Sequence, residues 1–92
     1  MAEVTAETLE AVHVRTARAL LGFSTKELAV MIDGEQKTHD QIRNFESGRT
    51  SPRWVKEKIF DALIRCGIEL QNGGKPGARV KNRARFDQAT QG

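Results

Sequence analysis

Residues 38–52 read THDQIRNFESGRTSP, and five of the side chains after Thr38 can hydrogen-bond to base edges: His39, Asp40, Gln41, Arg43 and Asn44. Gln41 or Asn44 can hold adenine through two hydrogen bonds, Asp40 can accept from the cytosine amino group, and Arg43 can reach guanine or a phosphate. Asp40 has a second reading, because a carboxylate is repelled by phosphate yet favours a helix amino terminus. His39 reads either as a DNA contact or as a solvent-exposed ring. Phosphate asks for donors and positive charge rather than a particular base. Arg15, Ser24, Thr25, Lys26, Thr38, Arg49, Thr50, Ser51 and Arg53 supply them around the same segment.

Other chemistries find no material. No paired carboxylates and no nucleophile beside a base can be assembled, so no enzyme and no cofactor are expected. His13 and His39 have no second close ligand at a metal-binding spacing, so no metal site is expected. Cys66, the single cysteine, cannot form an internal disulfide and reads as a small buried hydrophobe rather than a reactive thiol. With no signal-like or long apolar run, a soluble, cytoplasmic protein with no membrane partner is expected.

A chain of 92 residues has room for one modest core, which favours binding over catalysis in a deep cleft. Its formal charge of +3 points to an anionic partner and is unevenly placed. Residues 1–14 hold Glu3, Glu7 and Glu10 without a cation, whereas residues 75–85 hold Lys75, Arg79, Lys81, Arg83 and Arg85 without an acid. That basic arm could follow a DNA backbone or enter a minor groove. A solvated face is the alternative.

The elements that must position these groups follow from apolar spacing. Leu9, Val12, Val14, Ala17, Leu20 and Leu21 predict an amphipathic helix with Thr5 or Thr8 as its cap and Gly22 as its end. Ser24 with Glu27 is a capping-box pattern opening a second helix that buries Leu28, Ala29 and Ile32. After a polar connection at 33–37, Thr38 is expected to cap a third helix that buries Ile42 and Phe45 and ends at Gly48. A fourth begins near Pro52, buries Val55, Ile59, Phe60, Ala62, Leu63 and Cys66, and stops at Gly67. IELQ and ARVK, separated by turn residues at 72–77, predict a small hairpin. Residues 82–92, with little apolar content beyond Phe86, are expected to be a flexible basic tail.

Over about residues 12–66 the chain resembles the Cro/CI-type helix-turn-helix family of bacterial and phage transcription regulators, also called the xenobiotic-response-element family. VRTARALLGFSTKELA is similar to that family's first two helices, and THDQIRNFESGRTSP to its third helix and the loop after it. ALIRCGIELQNGGKPGARVK resembles the C-terminal extension of many short members. The resemblance implies a mainly α, lambda-repressor-like bundle of four to five helices with a short C-terminal β-hairpin or strand. It divides the chain into a DNA-binding domain at 1–66, a strand segment at 67–81 suited to dimerisation, and the tail at 82–92. It also implies that Arg18 of the first helix pairs with Glu46 near the end of the third. Ordinary surface charges are the alternative. Between Leu28 and Ile42 the chain is a few residues longer than the family's spacing, so its turn must bulge or add a fragment of helix.

The function so implied is that of a sequence-specific regulator, a homodimeric repressor of its own transcription that reads a near-palindromic operator in double-stranded DNA through residues 38–47. The alternative is an antitoxin-type autoregulator that also binds a partner protein. Dimerisation would use Trp54, Ile68, Leu70 and Val80. For Trp54, core or dimer packing stands against stacking on nucleic acid.

Overall fold

The computed structural model describes residues 4–72 and 77–91; Gly73, Gly74, Lys75 and Pro76 of the expected turn, and Glu3, lie outside the described residues. The elements run α1 (Ala11–Leu21), α2 (Thr25–Asp33), α3 (His39–Glu46), α4 (Arg53–Arg65), β1 (Ile68–Gln71), β2 (Gly77–Val80) and α5 (Arg83–Gln91). The protein is thus mainly helical with one small antiparallel sheet.

Val14, Ala17 and Leu21 of α1 repeat at helical spacing and are buried, with Leu9 beneath the entry. Neither expected threonine caps this helix. Thr5 and Thr8 close a turn of their own, the Thr5 amide donating to Thr8 Oγ1 at 2.8 Å. Glu10 takes the cap position, and its amide donates to Nδ1 of His13 at 2.9 Å. α2 opens on the expected capping box: the Glu27 amide donates to Ser24 Oγ at 3.1 Å and the Ser24 amide to Glu27 Oε1 at 2.9 Å.

Ile42 and Phe45 anchor α3, while Val55, Ile59, Ala62 and Leu63 of α4 complete the helical part of the core with Cys66 just beyond. Burial pushes the Cys66 thiol above its ordinary pKa, which keeps it protonated and unreactive. Phe60 is only half-buried.

In the hairpin, Ile68 faces Val80, Glu69 faces Arg79, Leu70 faces Ala78 and Gln71 faces Gly77. Alternation sends Ile68 and Leu70 into the core and turns Glu69 outward, where the Arg79 hydrogen bond holds its carboxyl below the usual range. Ile68 is 2% and Leu70 8% exposed, so these two expected dimer contacts are instead core residues of the single chain. Val80 is half-buried against the same core. The pleat explains the correction: strand alternation fixes which face is buried, but not whether a neighbouring helix or a second subunit covers it.

The tail departs from expectation. Residues 83–91 form α5, capped by Asn82, whose Oδ1 accepts from the Arg85 amide at 3.1 Å. Phe86 and Ala89, three residues apart, lay one face on the core, and α5 lies beside α1. Gly67 makes this approach feasible. It is left-handed, with φ +81°, and a Cβ there would run into the Asn82 carbonyl and stand 2.9 Å from the Phe86 nitrogen. The Gly67 carbonyl accepts from the amides of Lys81 at 2.8 Å and Asn82 at 3.0 Å.

His13 is the one buried polar side chain in the core of the described residues. Because Nδ1 accepts from the Glu10 amide, the ring proton sits on Nε2, which donates to the Gln71 carbonyl at 3.0 Å. The imidazole therefore ties the start of α1 to the end of β1.

Candidate nucleic-acid interface

Polar ties at both ends fix α3 on the core. At its carboxy end Arg18 grips Glu46 with two parallel bonds, Nε to Oε2 at 2.7 Å and Nη2 to Oε1 at 2.6 Å, while Nη1 donates to the Phe23 carbonyl at 3.0 Å. The Glu46 hydrogen bond raises the Arg18 pKa, which holds the guanidinium in its charged form. At the amino end His39 Nε2 meets Thr25 Oγ1 at 2.9 Å, joining α3 to the first turn of α2. Another tie is Asp33, the last residue of α2. Its Oδ2 accepts from the Thr38 amide at 2.8 Å and its Oδ1 from the Glu35 amide at 2.7 Å. Partial burial pushes the Asp33 carboxyl up, but the Glu35 and Thr38 amides outweigh it and hold the group below its ordinary value.

The expected cap is thereby corrected. Thr38 occupies the cap position, but its side chain makes no capping hydrogen bond and its Oγ1 is buried without a partner. Its backbone, at φ −89° and ψ 8°, is not the extended conformation that aims a cap hydroxyl at the helix amides. As a half-buried side chain it is also poorly placed for a phosphate.

With Ile42 and Phe45 inward, Asp40, Arg43, Asn44 and Ser47 form an exposed row at helical spacing, and with Arg49 they line a shallow hollow. Two other expected base readers do not join it. The His39 side chain is only 20% exposed and committed to Thr25, and Gln41 is half-buried with its Oε1 covered and unpaired. Both lie on the flanks of α3, which a helical wheel leaves open until the packing of its neighbours is known.

The expected phosphate donors divide in the same way. Lys26, Arg49 and Thr50 are exposed, and so is Arg15, which donates to the Glu46 carbonyl at 2.7 Å. Ser51 is half-exposed. Ser24 is exposed but serves its capping box, and Thr25 meets His39. Arg53 is held by Glu7 at 2.8 Å and Glu57 at 3.1 Å.

Pairing divides the cations of the described residues, and Lys37, just ahead of α3, is held by Glu35 at 2.8 Å. Arg65 pairs with Asp61, Arg79 and Lys81 with Glu69, and Arg83 with Asp87. Arg15, Lys26, Arg43 and Arg49, distributed over α1, α2, α3 and the loop after it, have no carboxylate partner among the described residues. Lys56, Lys58 and Arg85 are likewise without one. On the basic arm, Arg79 and Lys81 share one carboxylate and Arg83 has another, so its charge is partly offset, whereas Arg15, Lys26, Arg43 and Arg49 keep theirs. No group of three or more potential metal ligands occurs among the described residues, and none of their helices is long and apolar enough to cross a membrane. No known family model, curated protein or solved structure matches the chain.

Proposed function

We propose that this protein binds double-stranded DNA sequence-specifically, with α2 and α3 acting as a helix-turn-helix in a lambda-repressor-like bundle. α3 lies in the major groove, Asp40, Arg43 and Asn44 face base edges, and Arg15, Lys26, Arg49 and Thr50 hold the phosphates on either side. One observation carries the reading: the outward row of α3 is polar and exposed, with Arg43 and Asn44 free of side-chain partners among the described residues and Asp40 touched only by His39 at 3.9 Å, and Arg15, Lys26 and Arg49 beside it have no carboxylate partner there. A carboxamide already bonded inside the protein has little left to offer a base, and Asn44 has no such bond among the described residues.

The regulatory role extends the same reading. A homodimer would set two copies of α3 on half-sites roughly 34 Å apart, one duplex turn, and thereby select a near-palindromic operator. With Ile68 and Leu70 in the core, Trp54 is the expected dimer residue that remains available, at 50% exposed. Such a protein would serve as a cytoplasmic, nucleoid-associated repressor of its own transcription in a bacterium or phage. Selection from a pool of randomised duplexes tests the reading. A reproducible consensus supports it, and recovery of unselected sequences at physiological ionic strength rejects it.

A further inference from the structure

The turn between α2 and α3 contains an unusual residue. Gln36 has φ +77°, the one left-handed non-glycine among the described residues. At Gly22, Gly34, Gly48 and Gly67, where the backbone takes the same conformation, the chain uses glycine. A Cβ is disfavoured in this region because it crowds the neighbouring carbonyl. No side-chain contact offsets that at Gln36: the residue is exposed, and its carboxamide has no hydrogen-bond partner among the described residues.

The turn is nevertheless held firmly. Asp33 bonds the amides of Glu35 and Thr38, the Gly34 amide donates to the Val30 carbonyl at 2.8 Å, and the His39 amide donates to the Gln36 carbonyl at 3.2 Å. The Gln36 backbone is therefore fixed to the first residue of α3. In the docking proposed above, that amino-terminal end enters the groove first, with the exposed residues 34–37 immediately ahead of it. A non-glycine residue kept in a costly conformation, on a rigid turn, with an unused carboxamide in solvent, points to a use for the side chain outside the chain.

We infer that Gln36 is a specificity-determining residue whose carboxamide reads an adenine just beyond the base pairs faced by Asp40, Arg43 and Asn44. The carboxamide's donor and acceptor match adenine N7 and N6, the pair of groups that a glutamine can engage together. The inference rests on the proposed docking of α3. It makes the longer turn part of the reading surface, so each half-site is wider than α3 alone would cover.

The duplex that the wild-type protein selects from a randomised pool is the probe. Gln36→Gly removes the side chain and relaxes the backbone, so a purely structural role gives a higher melting temperature with unchanged or tighter binding. The inference expects the melting temperature to rise while affinity for the selected duplex falls about tenfold, with base preference lost at one flanking position. Gln36→Glu, which keeps the length and loses the donor, should move that preference from adenine toward cytosine. A Gln36→Gly protein that selects the full wild-type consensus overturns the inference and leaves the docking of α3 standing. Failure of the wild-type protein to select any consensus removes both.

Discussion

Asn44 and Arg49 both border the hollow on α3, yet shortening them should have different effects. Asn44→Ala should lose about 1–3 kcal/mol of discrimination at one base pair and leave the salt dependence unchanged. Arg49→Ala should weaken binding to all duplexes alike and flatten the slope of log affinity against log salt by about one. Identical behaviour in a salt-titrated binding assay would mean that readers and clamps have been confused. Arg18 and Glu46 make a comparable contrast in stability. Their side chains are only 21% and 9% exposed, so Glu46→Ala strands a largely covered guanidinium and should lower the unfolding free energy by roughly 2–4 kcal/mol in urea melts. Arg65→Ala breaks an exposed pair with Asp61 and a 3.3 Å bond to the Met31 carbonyl, and should cost about 1 kcal/mol or less. A Glu46→Ala protein as stable as Arg65→Ala would show that the grip on α3 contributes little.

Among the elements, the turn that ends α2 depends on an ionised side chain. The folded Asp33 carboxyl releases its proton more readily than an unfolded one, so its contribution is complete at neutral pH. That contribution should fade as pH drops through the ordinary aspartate range near about 4 toward the lower folded value. The amide resonances of Glu35 and Thr38 should report that titration, and Asp33→Asn should remove it. Titration at or above the ordinary range would place the support of the turn elsewhere. For α5 the sensitive point is Gly67, where alanine meets both a left-handed backbone and the Asn82 carbonyl. Gly67→Ala should cost about 2–4 kcal/mol or release α5, seen as lost amide protection at Phe86 and Ala89.

The same elements show why some of the fold was legible from sequence and some was not. Ser24 with Glu27, the spacing of Ile42 and Phe45, and the alternation of Ile68 and Leu70 are local signals, and each produced its element. α5 sends almost none. Its apolar face is essentially Phe86 and Ala89, and its docking depends on the missing side chain of a glycine before β1. Asn82 was the one local cue to its start. At α3 the outward row followed from the inward one. The loss of His39 and Gln41 from it depended on where α2 packs, which no spacing within α3 encodes.

For the whole molecule, the proposed docking makes the unpaired cations matter for approach as well as contact. Arg15, Lys26, Arg43 and Arg49 would give the molecule a preferred orientation in the field of a duplex, raising productive encounters without adding a base contact. Burial of the hairpin's inner face has its own consequence. Leu70→Asp would put a charge where the side chain is 8% exposed, so the expected outcome is loss of the cooperative thermal transition and not a folded monomer. A folded, cooperative Leu70→Asp protein would require β1 to lie off the core.

The imidazole of His13 spans 58 positions in sequence, from the entry of α1 to the carbonyl that ends β1. A shortened chain stopping after α4, where composition alone would invite a cut, would leave Nε2 with no acceptor and open the bottom of the apolar interior. Residues 1–66 should therefore fail to survive excision as an autonomous folding unit. Any portable version of this fold has to carry its hairpin with it.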